Sequence, residues 1–87
     1  MDTITEQPKL SRIFRLQWED AQNAYVLLYP EGMVKLNASA AEILKRCDGR
    51  SALQDIVAQL EQAFNMRDLA QDVQAFVADA RQRGWLV

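Results

Sequence analysis

Histidine is absent from this 87-residue chain, and cysteine occurs once, as Cys47. Without histidine there is no imidazole base, no imidazole metal ligand, and no Ser–His or Cys–His nucleophile pair. One cysteine neither completes a zinc site of the usual nitrogen and sulfur donors nor forms an internal disulfide, which suits a reducing cytoplasm. The three glycines, Gly32, Gly49 and Gly84, lie far apart, so no phosphate-cradling loop exists. No apolar run approaches the ~20 residues of a bilayer span. The opening Met1-Asp2-Thr3-Ile4-Thr5-Glu6 lacks the basic and apolar regions of a signal peptide. These residue types predict a cytoplasmic binding module with no catalytic residues, no metal and no cofactor of its own.

What is present is an ordinary globular balance, 49% hydrophobic and 25% charged, enough for one modest core. The net charge of −2 gives no bulk attraction to nucleic acid or an anionic membrane. Residues 1–10 are polar, contain Pro8, and read as a flexible lead-in to a domain over 11–87. Phe14, Leu16 and Trp18 alternate with Arg15 and Gln17, the period of a half-buried strand. Ala24–Tyr29 is apolar on both faces, as a central strand would be. Pro30 and Gly32 suit a type I turn into a short third strand, Met33–Leu36, at the sheet edge. The period then becomes helical. Asn37 and Ser39 are both plausible N-caps of a first helix that buries Ala40, Ile43, Leu44 and Cys47 and ends at Asp48-Gly49. Ser51-Ala52-Leu53-Gln54 has capping-box spacing before a second helix, with Leu53, Ile56, Val57, Leu60 and Phe64 facing inward. After a break at Asn65–Asp68, a third helix carries Leu69, Val73, Phe76, Val77 and Ala80 and stops at Gly84. The apolar Trp85-Leu86-Val87 tail should fold back onto the core. The expected fold class is α+β: a three-stranded antiparallel meander followed by three helices, winged-helix-like, with the helices on one sheet face.

Cys47 falls on the apolar face of the first helix, the setting of a small buried hydrophobe rather than a reactive thiol. The basic residues Lys45, Arg46, Arg50, Arg81 and Arg83 lie late in or just after helices, where they complement the helix dipole. The edge strand is the sharper feature. An edge exposes unpaired backbone groups, and Lys35 reads either as a guard against aggregation or as part of a surface that accepts an extended peptide. Added pairing supplies about four hydrogen bonds of ~1 kcal/mol net each. Ordering the added residues costs ~1–2 kcal/mol apiece. Affinity therefore needs two or three anchored apolar side chains at ~1.5–3 kcal/mol each. Val73, Phe76 and Val77 are candidates for that groove and equally for plain core.

The run Leu28-Tyr29-Pro30-Glu31-Gly32, then Leu36-Asn37, Ala40 or Ala41, Ile43-Leu44, Cys47-Asp48-Gly49, Ile56 and Asp72-Val73…Phe76 closely resembles the PqqD family, from about Ser11 to Val87. The resemblance implies a peptide chaperone of pyrroloquinoline quinone biosynthesis. It would bind the precursor peptide PqqA and present it to PqqE, a radical S-adenosylmethionine enzyme that cross-links a Glu and a Tyr of the peptide. It further implies a peptide lying along Met33, Val34, Lys35, Leu36 and Asn37, packed against Asp72, Val73, Phe76, Val77 and Ala80. Two alternatives compete: a winged-helix nucleic-acid binder, disfavoured by the acidic balance, and a structural module that forms a homodimer through its edge strand.

Overall fold

The computed structural model describes residues 6–87. It contains strands β1 (Arg15–Glu19), β2 (Ala24–Tyr29) and β3 (Gly32–Lys35), then helices α1 (Ala38–Lys45), α2 (Leu53–Phe64) and α3 (Ala70–Gln82). The sheet is antiparallel in the order β1-β2-β3, as short connections require. In the register, Leu27 lies between Leu16 and Val34, and Val26 between Gln17 and Lys35. Side chains alternate across a strand, so the Leu16–Leu27–Val34 row faces the helices and the Gln17–Val26–Lys35 row faces away. Leu27 and Val26 are both fully buried, which is why β2 is apolar on both faces.

The core is one cluster under the helices. Leu27 and Leu36 meet Ile43 and Leu44 of α1, Leu53, Ile56 and Leu60 of α2, and Val73, Val77 and Ala80 of α3, with Leu86 of the tail closing it. α1 packs on β1 and β2, and Lys45 Nζ stands 4.3 Å from the centroid of the Tyr25 ring. Cys47 is buried, and its thiol donates to the Ile43 carbonyl at 3.3 Å. Burial, reinforced by the nearby Asp48 charge, pushes its pKa up to about 12. It is therefore a protonated packing group at neutral pH.

The helix ends divide the capping expectations. Asn37 caps α1, its Oδ1 accepting the Ala40 N–H at 2.8 Å. Ser51 caps nothing, because the Asp48 carboxylate accepts the N–H groups of Arg50 and Ser51 at 2.8 and 3.0 Å. α2 starts from Ala52 with no side-chain cap, and the Leu53 amide donates instead to the Glu6 carbonyl at 2.7 Å. α3 ends in a Schellman motif, with Gly84 N–H on the Arg81 carbonyl, Trp85 N–H on the Ala80 carbonyl, and Gly84 left-handed at φ 84°.

The lead-in corrects the expectation of a flexible first ten residues: from Glu6 onward the segment is docked, and positions 1–5 lie outside the described residues. Lys9 bridges Asp48 and Leu10 bridges Leu86. Pro8 is fully buried, and Glu6 pairs with Arg81. Gly49 is left-handed at φ 79° and donates to the Pro8 carbonyl at 3.0 Å, so it shapes the turn that receives this segment rather than capping α1. Among the described residues the packing thus extends back past Ser11 to Glu6, because backbone pairing with distant segments holds polar residues that have no apolar pattern of their own.

Candidate functional site

β3 is the shortest strand, and among the elements of the fold it packs extensively only with β2. The Leu36 amide donates to the Tyr25 carbonyl at 2.9 Å, directly across from it. In an antiparallel ladder bonded and non-bonded pairs alternate, so Val34 and Gly32 also direct their backbone groups to β2. Met33 and Lys35 therefore aim their N–H and C=O groups at the outer edge, which no strand among the described residues covers. Their side chains lie on the face away from the helices, where Met33 is 48% exposed and Lys35 is exposed. Val34 is half-buried against the core margin, and Leu36 is buried. Asn37 is exposed but committed to the α1 cap.

On the helix side the five candidates separate. Val77 and Ala80 are each 1% exposed and Val73 is 3% exposed, so these are core positions. Phe76 is half-buried at the core margin, like Val34. Asp72 is exposed in the first turn of α3. Of the ten candidates, Met33, Lys35, Asn37 and Asp72 are exposed, Val34 and Phe76 lie at the core margin, and Leu36, Val73, Val77 and Ala80 are core.

Sequence periodicity did not point to a cleft at the elbow between α2 and α3. It encloses about 290 Å³ and is floored by Ile43, Leu60 and Val73, with Phe64, Met66 and Leu69 as walls and Ser39 and Asp72 as its polar members. Phe64 follows Leu60 by four residues and reads as inward-facing, yet it is 46% exposed because α2 ends there, beyond the core. Met66 is 54% exposed. The elbow is held by left-handed Asn65 and Asp68 (φ 51° and 61°) and by Glu61, whose carboxylate accepts the Leu69 N–H at 3.0 Å. The break at Asn65–Asp68 was the available signal: two large apolar residues flank polar turn residues there.

The rest of the described surface offers little chemistry. No group of three or more metal-ligating side chains occurs among the described residues, and no helix there is long and apolar enough to cross a membrane. Glu42, held between Lys45 at 2.8 Å and Arg46 at 3.0 Å, is an ion-paired carboxylate of lowered pKa.

A sequence model of the family described as Coenzyme PQQ synthesis protein D (PqqD) matches residues 24–86. The chain belongs to the PqqD family. It is 52% identical over 85 residues to the PqqA binding protein of Azotobacter vinelandii, covering 97% of this chain and 92% of that one. With the PqqA binding protein of Methylococcus capsulatus it shares 45% identity over 85 residues, covering 98% and 88%. Its fold is similar to the solution NMR structure of the PqqD truncation of Methylobacterium extorquens PqqCD, described as a functional, stand-alone RiPP recognition element. That likeness has a TM-score of 0.70 at 30% identity and covers 92% of this chain and 87% of the other. The PqqD match runs from the start of β2 into the tail, so the free edge, the α3 candidates and the elbow cleft all lie inside it.

Proposed function

We propose that this chain is a peptide chaperone of pyrroloquinoline quinone biosynthesis that binds the precursor peptide PqqA and presents it to the radical enzyme PqqE. The observation that carries this reading is the β3 edge. In a PqqD-family chain whose relatives are named PqqA binding protein, Met33 and Lys35 leave their backbone groups free for another strand. The peptide adds as a fourth strand, with Val34, Phe76 and Asp72 beside it. The cross-linking chemistry belongs to the partner enzyme, and this chain holds the substrate without transforming it. The encounter takes place in the cytoplasm, where a ribosomal peptide is made.

Calorimetric titration of PqqA into the purified protein should give saturable binding, micromolar or tighter, about −8 kcal/mol. A flat titration, with and without PqqE, overturns the reading. The same edge is open to a second copy of the chain, and such a homodimer competes with the peptide. Sedimentation should then show any dimer dissociating as PqqA is added. The acidic net charge and the family membership support a peptide ligand over the nucleic acid of other winged-helix domains.

A further inference from the structure

The ladder on β3 explains how a peptide is aligned but not what selects it, since backbone bonds are blind to side chains. We propose that the elbow cleft between α2 and α3 seats one large apolar side chain of the captured peptide, and that a basic residue lies next to this anchor. The assignment rests on the peptide-binding function proposed above and adds a selecting pocket to it.

Ser39 at the cleft is four residues beyond Lys35, a chain reach of at most about 14 Å. A strand laid on β3 advances ~3.3 Å per residue. The few peptide residues that follow the ladder past the α1 end of β3 therefore come within reach of the cleft.

Phe64 and Met66 leave about half of their surface in water at 46% and 54% exposure, beside a floor that is already dry. A guest side chain would cover apolar surface that the fold leaves open, and the flexible thioether of Met66 adapts to its shape. At 290 Å³ the space lies at the lower limit of small-molecule sites, about 300 Å³. It suits one or two side chains rather than a cofactor.

Charge decides the neighbour. The elbow and the first turn of α3 carry Glu61, Asp68 and Asp72 against the single cation Arg67. Glu61 is engaged with the Leu69 amide, while Asp72 lines the cleft and is exposed. A cationic peptide side chain beside the anchor meets this field favourably, and an acidic one is repelled.

Methyl and amide NMR during a PqqA titration tests the assignment. The Met66, Leu69 and Ile43 methyls should shift in step with the Met33 and Lys35 amides and saturate at the same peptide concentration. Phe64→Ser and Met66→Ser, both at exposed positions, should keep the fold and weaken binding about ten-fold or more. Asp72→Asn should weaken it about two- to five-fold at low salt and flatten its salt dependence. If the β3 amides shift while the cleft methyls stay still, or if both serine variants bind like the parent, the cleft assignment is overturned and the peptide function stands. If nothing shifts and no binding is detected, the peptide function fails and the cleft assignment falls with it.

Discussion

Lys9 and Val87 hydrogen-bond each other in both directions, the Lys9 amide donating to the Val87 carbonyl at 3.2 Å and the Val87 amide to the Lys9 carbonyl at 2.7 Å. This reciprocal pair, extended by Ser11 N–H on the Trp85 carbonyl at 2.7 Å, clamps the lead-in to the tail over the core. The clamp has no counterpart in local sequence pattern, and its consequences are measurable.

Gly49→Ala should destabilise the fold by about 1–3 kcal/mol, because a left-handed backbone strains any residue with a Cβ. The new Cβ would also meet the Lys9 side chain at 3.0 Å. Thermal unfolding monitored by circular dichroism would read the loss. In the variant, hydrogen exchange of the Val87 and Ser11 amides should speed up more than that of Leu27. Equal protection throughout would show that Gly49 does not govern the clamp.

Asn37→Ala removes the Oδ1 that accepts the Ala40 amide and should cost about 1 kcal/mol. Ser51→Ala should change stability by less than about 0.5 kcal/mol, since Ser51 caps nothing and Asp48 already holds its amide. Urea midpoints of the two variants separate a used cap from an unused one. A larger loss at Ser51 than at Asn37 would reverse the assignment.

Two proline substitutions distinguish the two edges of β3. Lys35→Pro deletes an amide that points to the free edge, a position where sheets tolerate proline, so the fold should survive while PqqA binding drops. Val34→Pro deletes an amide directed at β2 and should unfold the domain by about 3 kcal/mol or more. Lys35→Glu keeps the backbone and alters only the charge beside the ladder; a changed affinity with an unchanged midpoint would mark Lys35 as a contact, and an unchanged affinity as a guard. Undiminished binding by folded Lys35→Pro would rule out strand addition at this edge.

Stability should fall at both ends of the pH scale for nameable reasons. Hydrogen bonds from Lys45 and then Arg46 lower the Glu42 pKa, and the backbone amides of Arg50 and Ser51 lower that of Asp48. A carboxylate with a depressed native pKa stabilises fully above its unfolded value, ~4, and loses that contribution as pH falls through the native one. Cys47 has the opposite sign: burial holds its proton up to about 12. Its contribution is therefore complete below the ordinary thiol value, ~8.5, and fades as pH rises toward the native one. Lys45, raised by its bond to Glu42, fades on the same side. Denaturation midpoints across pH should show a shallower acid limb in Glu42→Gln and a shallower alkaline limb in Cys47→Ala. Identical limbs in parent and variants would remove these groups from the account.

The order of elements was legible because each announces itself within a few residues. Alternation marked β1, the doubly apolar run marked β2 as central, and the 3.6-residue spacing marked three helices whose inner faces, Phe64 apart, pack as read. The candidate site was legible in part. Strand order alone made β3 an edge, but it did not tell the core positions Val77 and Ala80 from the margin position Phe76, since helix spacing reports a face and not how deep it sits.

The hydrophobic periods by themselves determined a small α+β domain, because local period needs no partner to be read, and the lack of histidine by itself ruled out imidazole chemistry. Tertiary structure decided what depends on distant groups meeting. The lead-in folds onto the tail, Asp48 takes the amide that Ser51 was expected to leave for a capping box, and Phe64 stands at a cleft instead of in the core. Each of these is settled by which backbone or apolar surface reaches it first in space, and spacing along the chain carries no record of that.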